Sequence, residues 1–237
     1  MTGVQTCALP IFLGLLSLCL VFLLPVALIL GIVAVVKIGK DPRLSGQGLG
    51  IAAICLSVVG VFFWVICAAV ALPGFLRFQA KAKQAECKLN LRTLYSAEQL
   101  YYAERAAYSP KAAEVGFSPE RGNRYAYLLS LDGPLEDRSG QAASNPQTAT
   151  RIGADAHRFN ALDTQRMLVA LPSLAGGARP GVAGACPKCD FTAACVGQID
   201  DDGTYDVWSV STRSRTGPDG SEIPAGQPYN DVSDVTR

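Results

Sequence analysis

The residues best suited to chemistry lie in two short runs toward the C-terminal end. One, Asp200-Asp201-Asp202-Gly203-Thr204-Tyr205-Asp206, crowds carboxylates around a turn glycine. A hard cation takes about six to eight oxygen ligands, and Asp200, Asp202 and Asp206 could supply three to a calcium ion. The run lacks the distal Glu of a full EF-hand loop. Asp and Gly are also ordinary hairpin-turn residues, which is the simpler reading.

The second run is Cys186-Pro187-Lys188-Cys189, with Cys195 close behind. A structural zinc site wants four ligands in paired spacing, and the chain offers only one histidine, His157. A redox pair would want thioredoxin-like surroundings, and none are present. The pattern points to disulfides in an oxidising compartment, at least one of them among Cys186, Cys189 and Cys195. Catalysis finds no constellation. His157 stands in a polar stretch without a nucleophile, and no Gly-rich phosphate loop follows a strand. With 21 Lys+Arg against 20 Asp+Glu, the strongly basic signature of nucleic-acid binding is missing too. No small-molecule substrate is evident, and no enzyme is expected.

The elements that must carry these residues begin with two apolar stretches. Residues 12–38 hold no charge before Lys37, and residues 49–72 contain only Ser57 as a polar side chain. Each run of about 25 residues is long enough to cross a hydrocarbon core of roughly 30 Å. The expectation is a two-helix membrane anchor over residues 12–72, in contact with lipid. Pro25 inside the first stretch is tolerated in a membrane helix. The connector carries Lys37, Lys40 and Arg43 against Asp41 alone, and short basic loops stay cytoplasmic. Both ends of the chain are then expected outside. Arg77, Lys81 and Lys83 after the second span pull the other way. The first eleven residues, MTGVQTCALPI, resemble the translation of a sequencing adapter. They are expected to be foreign to the protein, with the true N-terminus missing.

Beyond Pro73-Gly74 the text turns amphipathic. Cys87, Leu91, Leu94, Ala97 and Tyr101 form one apolar helix stripe, and Lys81, Gln84, Lys88, Arg92, Ser96 and Gln99 form the wet face. Joined to the second span, this implies one helix of over fifty residues, with its exported part at 74–108 and a kink at Pro73. Farther on, Tyr125, Tyr127, Leu129 and Leu131 alternate as in a half-buried strand, and so do Phe191, Ala193, Cys195, Gly197 and Ile199. A third strand follows over 205–212. Three antiparallel strands across a helix stripe make an α+β domain. Residues 132–190 read as a variable surface region with a short element near 161–171, and residues 216–237 read as irregular. Cys87 on the stripe and Cys195 on the strand face should both look into the helix–sheet seam. A bond there needs about 4 Å between Cβ atoms, and Cys186 and Cys189 would then pair locally. Four cysteines allow three full pairings, and buried free thiols are the alternative.

Residues 71–109, ALPGFLRFQAKAKQAECKLNLRTLYSAEQLYYAERAAYS, closely resemble the N-terminal helix of type IV pilins and type II secretion pseudopilins. Pro73, Phe75, Lys81, Ala82, Lys83, Glu86, Lys88, Asn90 and Leu91 fall on the family pattern A-x-P-x-F, basic-A-basic, E-x-K-x-N-L. GFSPERGNRY, residues 116–125, and FTAACVGQIDDDGTYDVW, residues 191–208, resemble segments of fimbrial proteins. The membrane hairpin, with RLSGQGLGIA at 43–52, is similar to an uncharacterised family of bacterial two-helix membrane domains.

The resemblance implies an exported domain over 73–237 on the outer side of a bacterial inner membrane, with C-terminal strands at 191–212. It implies pilus or type II secretion subunits as partners. Some pseudopilins hold calcium near their C-termini, which favours the cation reading of the Asp run. One departure matters. Pilins carry a G-F-T-L-I-E-like junction cut by a peptidase, with a Glu at the fifth mature position that pairs with a neighbour's amine. Here the text is GLGIAAICLSVV, and Leu56 stands at the Glu position. An uncut chain held by both spans is expected, an accessory or structural component of the filament system. The alternative is a membrane-tethered binding or sensing domain on a pilin fold that never assembles.

Overall fold

The computed structural model describes residues 23–40, 46–142, 146–159, 163–169, 171–199 and 203–235. The chain divides between Leu76 and Arg77 into two compact units. In the first unit, helix α1 spans Leu23–Lys40 and helix α2 starts at Gln47. α2 runs on to Arg105, 59 residues with Pro73 inside it. Among the described residues α2 is the one helix long and apolar enough to cross a membrane. The expected first span lies partly outside the described residues, residues 1–11 lie wholly outside them, and so do residues 41–45 of the basic connector.

α1 and α2 meet over small residues. A Cβ added at Gly60 would come within 2.6 Å of Leu24, one at Gly50 within 2.8 Å of Val35, and one at Gly31 within 3.0 Å of Ile54. These partners run in opposite directions along the two helices, so the pair is an antiparallel hairpin. Leu24, Ala27, Ala53 and Ser57 are buried between them, and the Ser57 hydroxyl donates to its own helix at Ala53 O, 2.8 Å. Glycine and alanine let backbones approach closely, the packing that apolar helices use where lipid offers no hydrophobic drive.

In the second unit the strands are β1 (Tyr125–Leu128), β2 (Leu135–Glu136), β3 (Arg151–Ile152), β4 (Gly181–Ala183), β5 (Asp190–Gly197), β6 (Asp206–Ser211), β7 (Arg215–Thr216), β8 (Glu222–Ile223) and β9 (Tyr229–Val232). Helix α3 occupies Thr164–Val169. The described strands build one sheet in the order β2-β3-β1-β5-β6-β9, with β4 also on β5, and a separate β7-β8 hairpin. The pairs are antiparallel except β2 with β3, which is parallel. The fold class is α+β, with the helix on an antiparallel-rich sheet. The sheet is larger than three strands. The segment expected to be irregular supplies β9, whose residues pair with Val207, Trp208 and Ser209 of β6.

Register puts Tyr127, Cys195 and Trp208 side by side on the face toward α2. They join Cys87, Leu91, Leu94, Phe117, Tyr125, Leu129, Phe191 and Val210 in the main core. The other face is covered as well. Ala126, Leu128, Ala194, Val196 and Val207 pack against Met167 and Leu174 from the region expected to be surface. β1 is therefore buried at every position instead of alternating. The small outward residues Ala126 and Ala194 leave room for that second layer.

Candidate functional site

The family-motif residues of the long helix are where it is fastened to the sheet. Glu86 and Asn90 are one helical turn apart and share a face. The Glu86 carboxylate accepts from Arg124 N at 2.9 Å and from the Tyr127 hydroxyl at 3.3 Å. Asn90 donates its amide to the same hydroxyl at 2.6 Å. The two side chains thus clamp Tyr127 of β1. Burial pushes the Glu86 carboxyl above its ordinary range, against hydrogen bonds that lower it. Lys88, between them in sequence, turns to the other side, and its ammonium lies 4.2 Å from the centre of the Trp208 ring. Pro73 and Phe75 lie in the first unit and are exposed on the apolar helix, Phe75 at 56%.

Asp206 is the second fastening point. It is fully buried. One oxygen accepts from Tyr125 OH at 2.7 Å and Trp208 Nε1 at 2.6 Å. The other accepts from Gln84 Nε2 at 2.8 Å, Asn230 Nδ2 at 3.0 Å and Asp234 N at 3.3 Å. Five donors from α2, β1, β6, β9 and the segment after β9 converge on one carboxylate. Tyr125 reaches it across Gly197, where any Cβ would stand 2.5 Å from the ring. Burial, and next the Asp206 charge, raise the Tyr125 hydroxyl far above its usual range. Gln84 is thus buried, not on the wet face, because it answers this carboxylate. Both Asp206 oxygens are committed here, inside the domain. Asp200 and Asp202 lie outside the described residues, and the described residues contain no cluster of three His, Cys, Asp or Glu able to hold a metal.

The structure joins Cys87 to Cys195 and Cys186 to Cys189. The first bond ties α2 to β5 with Cα atoms 6.4 Å apart, across 108 residues of sequence. In the chain-entropy account, closing a loop of that length contributes about 4–5 kcal/mol, and a loop of a few residues about 2 kcal/mol. The second bond ends the tight turn between β4 and β5. Cys55 and Cys67, on α2, are unpaired among the described residues. His157 is exposed.

Sequence reasoning missed three groups. Glu98 lies in register with Cys87, Leu91 and Leu94, at steps of four, three and four, so the helix period alone could have marked it as buried. One of its oxygens accepts from Ser109 N at 3.2 Å, and the other has no partner among the described residues. Burial raises its pKa to about 8. In GFSPERGNRY, the Arg121 guanidinium grips Asp155 at 3.1 Å, and Asn123 donates to Tyr125 O and Gly153 O, each at 2.8 Å. Arg138 is buried against Glu136 at 2.7 Å and donates to Asn123 Oδ1 at 2.9 Å and Pro119 O at 3.0 Å. That knot closes the loop ahead of β1, and no local pattern announces it.

A family model described as type IV pilin PilA matches residues 78–206, more than half of the chain and nearly all of the fastening groups above. The chain belongs to the type IV pilin PilA family. It is 35% identical over 213 residues to the type IV major pilin protein PilA of Myxococcus xanthus (strain DK1622), a match covering 82% of this chain and 94% of that relative. For this pilin-family chain, the helix motif, the strand registers and the Asp206 hub serve structure. They hold the long helix to the sheet, and membership of the pilin family is what marks the chain as a pilin-like structural protein. The apolar part of α2 fits membrane anchoring.

Proposed function

We propose that this chain is a pilin retained in the membrane by a helical hairpin, acting as an accessory subunit of a type IV pilus or a type II secretion-like system. The observation that carries the reading is the α1–α2 seam. Gly31, Gly50 and Gly60 bring α1 against α2 at the very stretch where a pilin leader would be removed. α1 thus occupies a packed position and behaves as part of the fold. Sequence supports the same reading, because no acid occurs in α2 before Glu86. Leu56, at the position of the family Glu, cannot neutralise a buried amine, and an uncut chain presents no amine there. Loss of the cut and loss of the carboxylate belong together.

The relative is a major pilin, which supports filament company, and the hairpin argues for a role at the membrane end of it. The domain would stand outside the cytoplasmic membrane, its apolar helices in lipid, its neighbours other pilin-type subunits. The test is the intact mass of the protein extracted from membranes of a host that processes pilins. A chain retaining α1 is expected. A mature species beginning near Ile51 would restore the ordinary filament-subunit reading.

A further inference from the structure

The two disulfides stand in opposite surroundings. Cys87 and Cys195 are 0% exposed, in the centre of the core. Ala185, Cys186, Pro187 and Lys188 are all exposed, and Cys189 is 8% exposed beneath them. A thiolate can reach a disulfide only along an open path to one sulfur, and exposed disulfides are the exchangeable ones. Cys186 offers that path, and the exposed Lys188 in the same turn adds a positive charge that favours an incoming anion.

We propose that Cys186–Cys189 is a thiol-exchange site, open to small anionic thiols while the core disulfide stays closed to them. This goes beyond the anchored-pilin reading and does not depend on it. In the first step a thiolate RS⁻ attacks Cys186 Sγ. A mixed disulfide forms, the Cys186–Cys189 bond breaks, and Cys189 leaves as a thiolate. A second RS⁻ attacks the sulfur of R, releasing Cys186 as a thiolate and RSSR. Two thiols lose two protons and two electrons, and the two cysteines gain them.

The surroundings let this happen without loss of the fold. Three pairs between β4 and β5, Gly181 with Thr192, Val182 with Phe191 and Ala183 with Asp190, hold the strands on either side of the turn independently of the sulfur atoms. Lys188 N donates to Ala185 O at 3.0 Å, and Tyr102 OH donates to Pro187 O at 2.5 Å, so the turn keeps its place on the end of α2. The two thiols of the reduced form therefore stay close, and exchange is reversible.

The test treats the full chain in detergent with reduced glutathione, quenches with an alkylating reagent, and maps each cysteine by peptide mass. Cys186 and Cys189 should become alkylated at least tenfold faster than Cys87 and Cys195, with the tertiary circular-dichroism signal kept. Equal rates, an earlier loss of the core bond, or no reduction before unfolding would overturn the proposal. Two variants fix the entry point. With oxidised glutathione, C189S should form a mixed disulfide at Cys186 faster than C186S does at Cys189. The reverse order would show that Cys186 is not the sulfur attacked.

Discussion

Asp206 draws five donors to two oxygens, and three of them, from Tyr125, Trp208 and Gln84, are buried side-chain groups with this carboxylate as their acceptor. Truncating it leaves those donors unsatisfied in the core. Asp206→Ala should lower stability by about 3–5 kcal/mol. At roughly 2–4 °C per kcal/mol for a domain of this size, the loss is readable in a thermal melt followed by tertiary circular dichroism. Asp206→Asn keeps the shape and one good acceptor, so it should cost less. Glu98 is the opposite case, an acid given almost nothing. Its folded pKa of about 8 stands above the ordinary 4.5. The folded state therefore holds a proton that the unfolded state has released between those values. The stability it supports is fully present below pH 4.5, falls as pH rises toward 8, and is level above. Glu98→Gln should remove that slope and be the more stable protein at pH 8, as denaturant titrations across the pH range would reveal.

The long helix ends on a residue of the wrong type. Ala106, just past Arg105, has φ 52° and donates its N–H to Tyr102 O at 2.7 Å. A left-handed residue after the last helical turn is usually glycine, because a Cβ there costs about 1 kcal/mol. Ala106→Gly should raise stability by up to about 1 kcal/mol, a shift of a few degrees in the melt. The sheet is fastened to this helix by residues that read, in sequence, as a family signature. Glu86 and Asn90 clamp Tyr127, and Lys88 covers Trp208 on the other side. Spacing four along the helix is the physical reason the motif takes the form E-x-x-x-N.

At the scale of the whole molecule, charge governs orientation in the membrane. In the proposed topology residues 37–48 face the cytoplasm and the C-terminal end lies outside, because short basic connectors stay cytoplasmic. Alkaline phosphatase fused after Arg237 should be active, and the same enzyme inserted after Gly46 should be inactive. An inverted pattern would mean that Arg77, Lys81 and Lys83 govern the topology instead.

The sequence by itself determined what is local or periodic: the apolar stretches, the stripe of Cys87, Leu91 and Leu94, the helix motif, and the family. Those depend on spacing along one element, which a linear text carries. It also put Cys87 and Cys195 on faces that look toward one another. Tertiary structure decided the rest. Gln84 leaves the wet face because an aspartate 122 residues away needs a donor. β1 loses its alternation because α3 and Leu174 cover the sheet's outer side. The last segment becomes β9 because the edge of β6 lacks a partner until Tyr229–Val232 arrives. Asp206, which its carboxylate-rich run offers as a candidate cation ligand, is a hub because Gly197 lets Tyr125 lie over it. Each of these is a requirement that one buried group places on another far along the chain, and no spacing in the text encodes it.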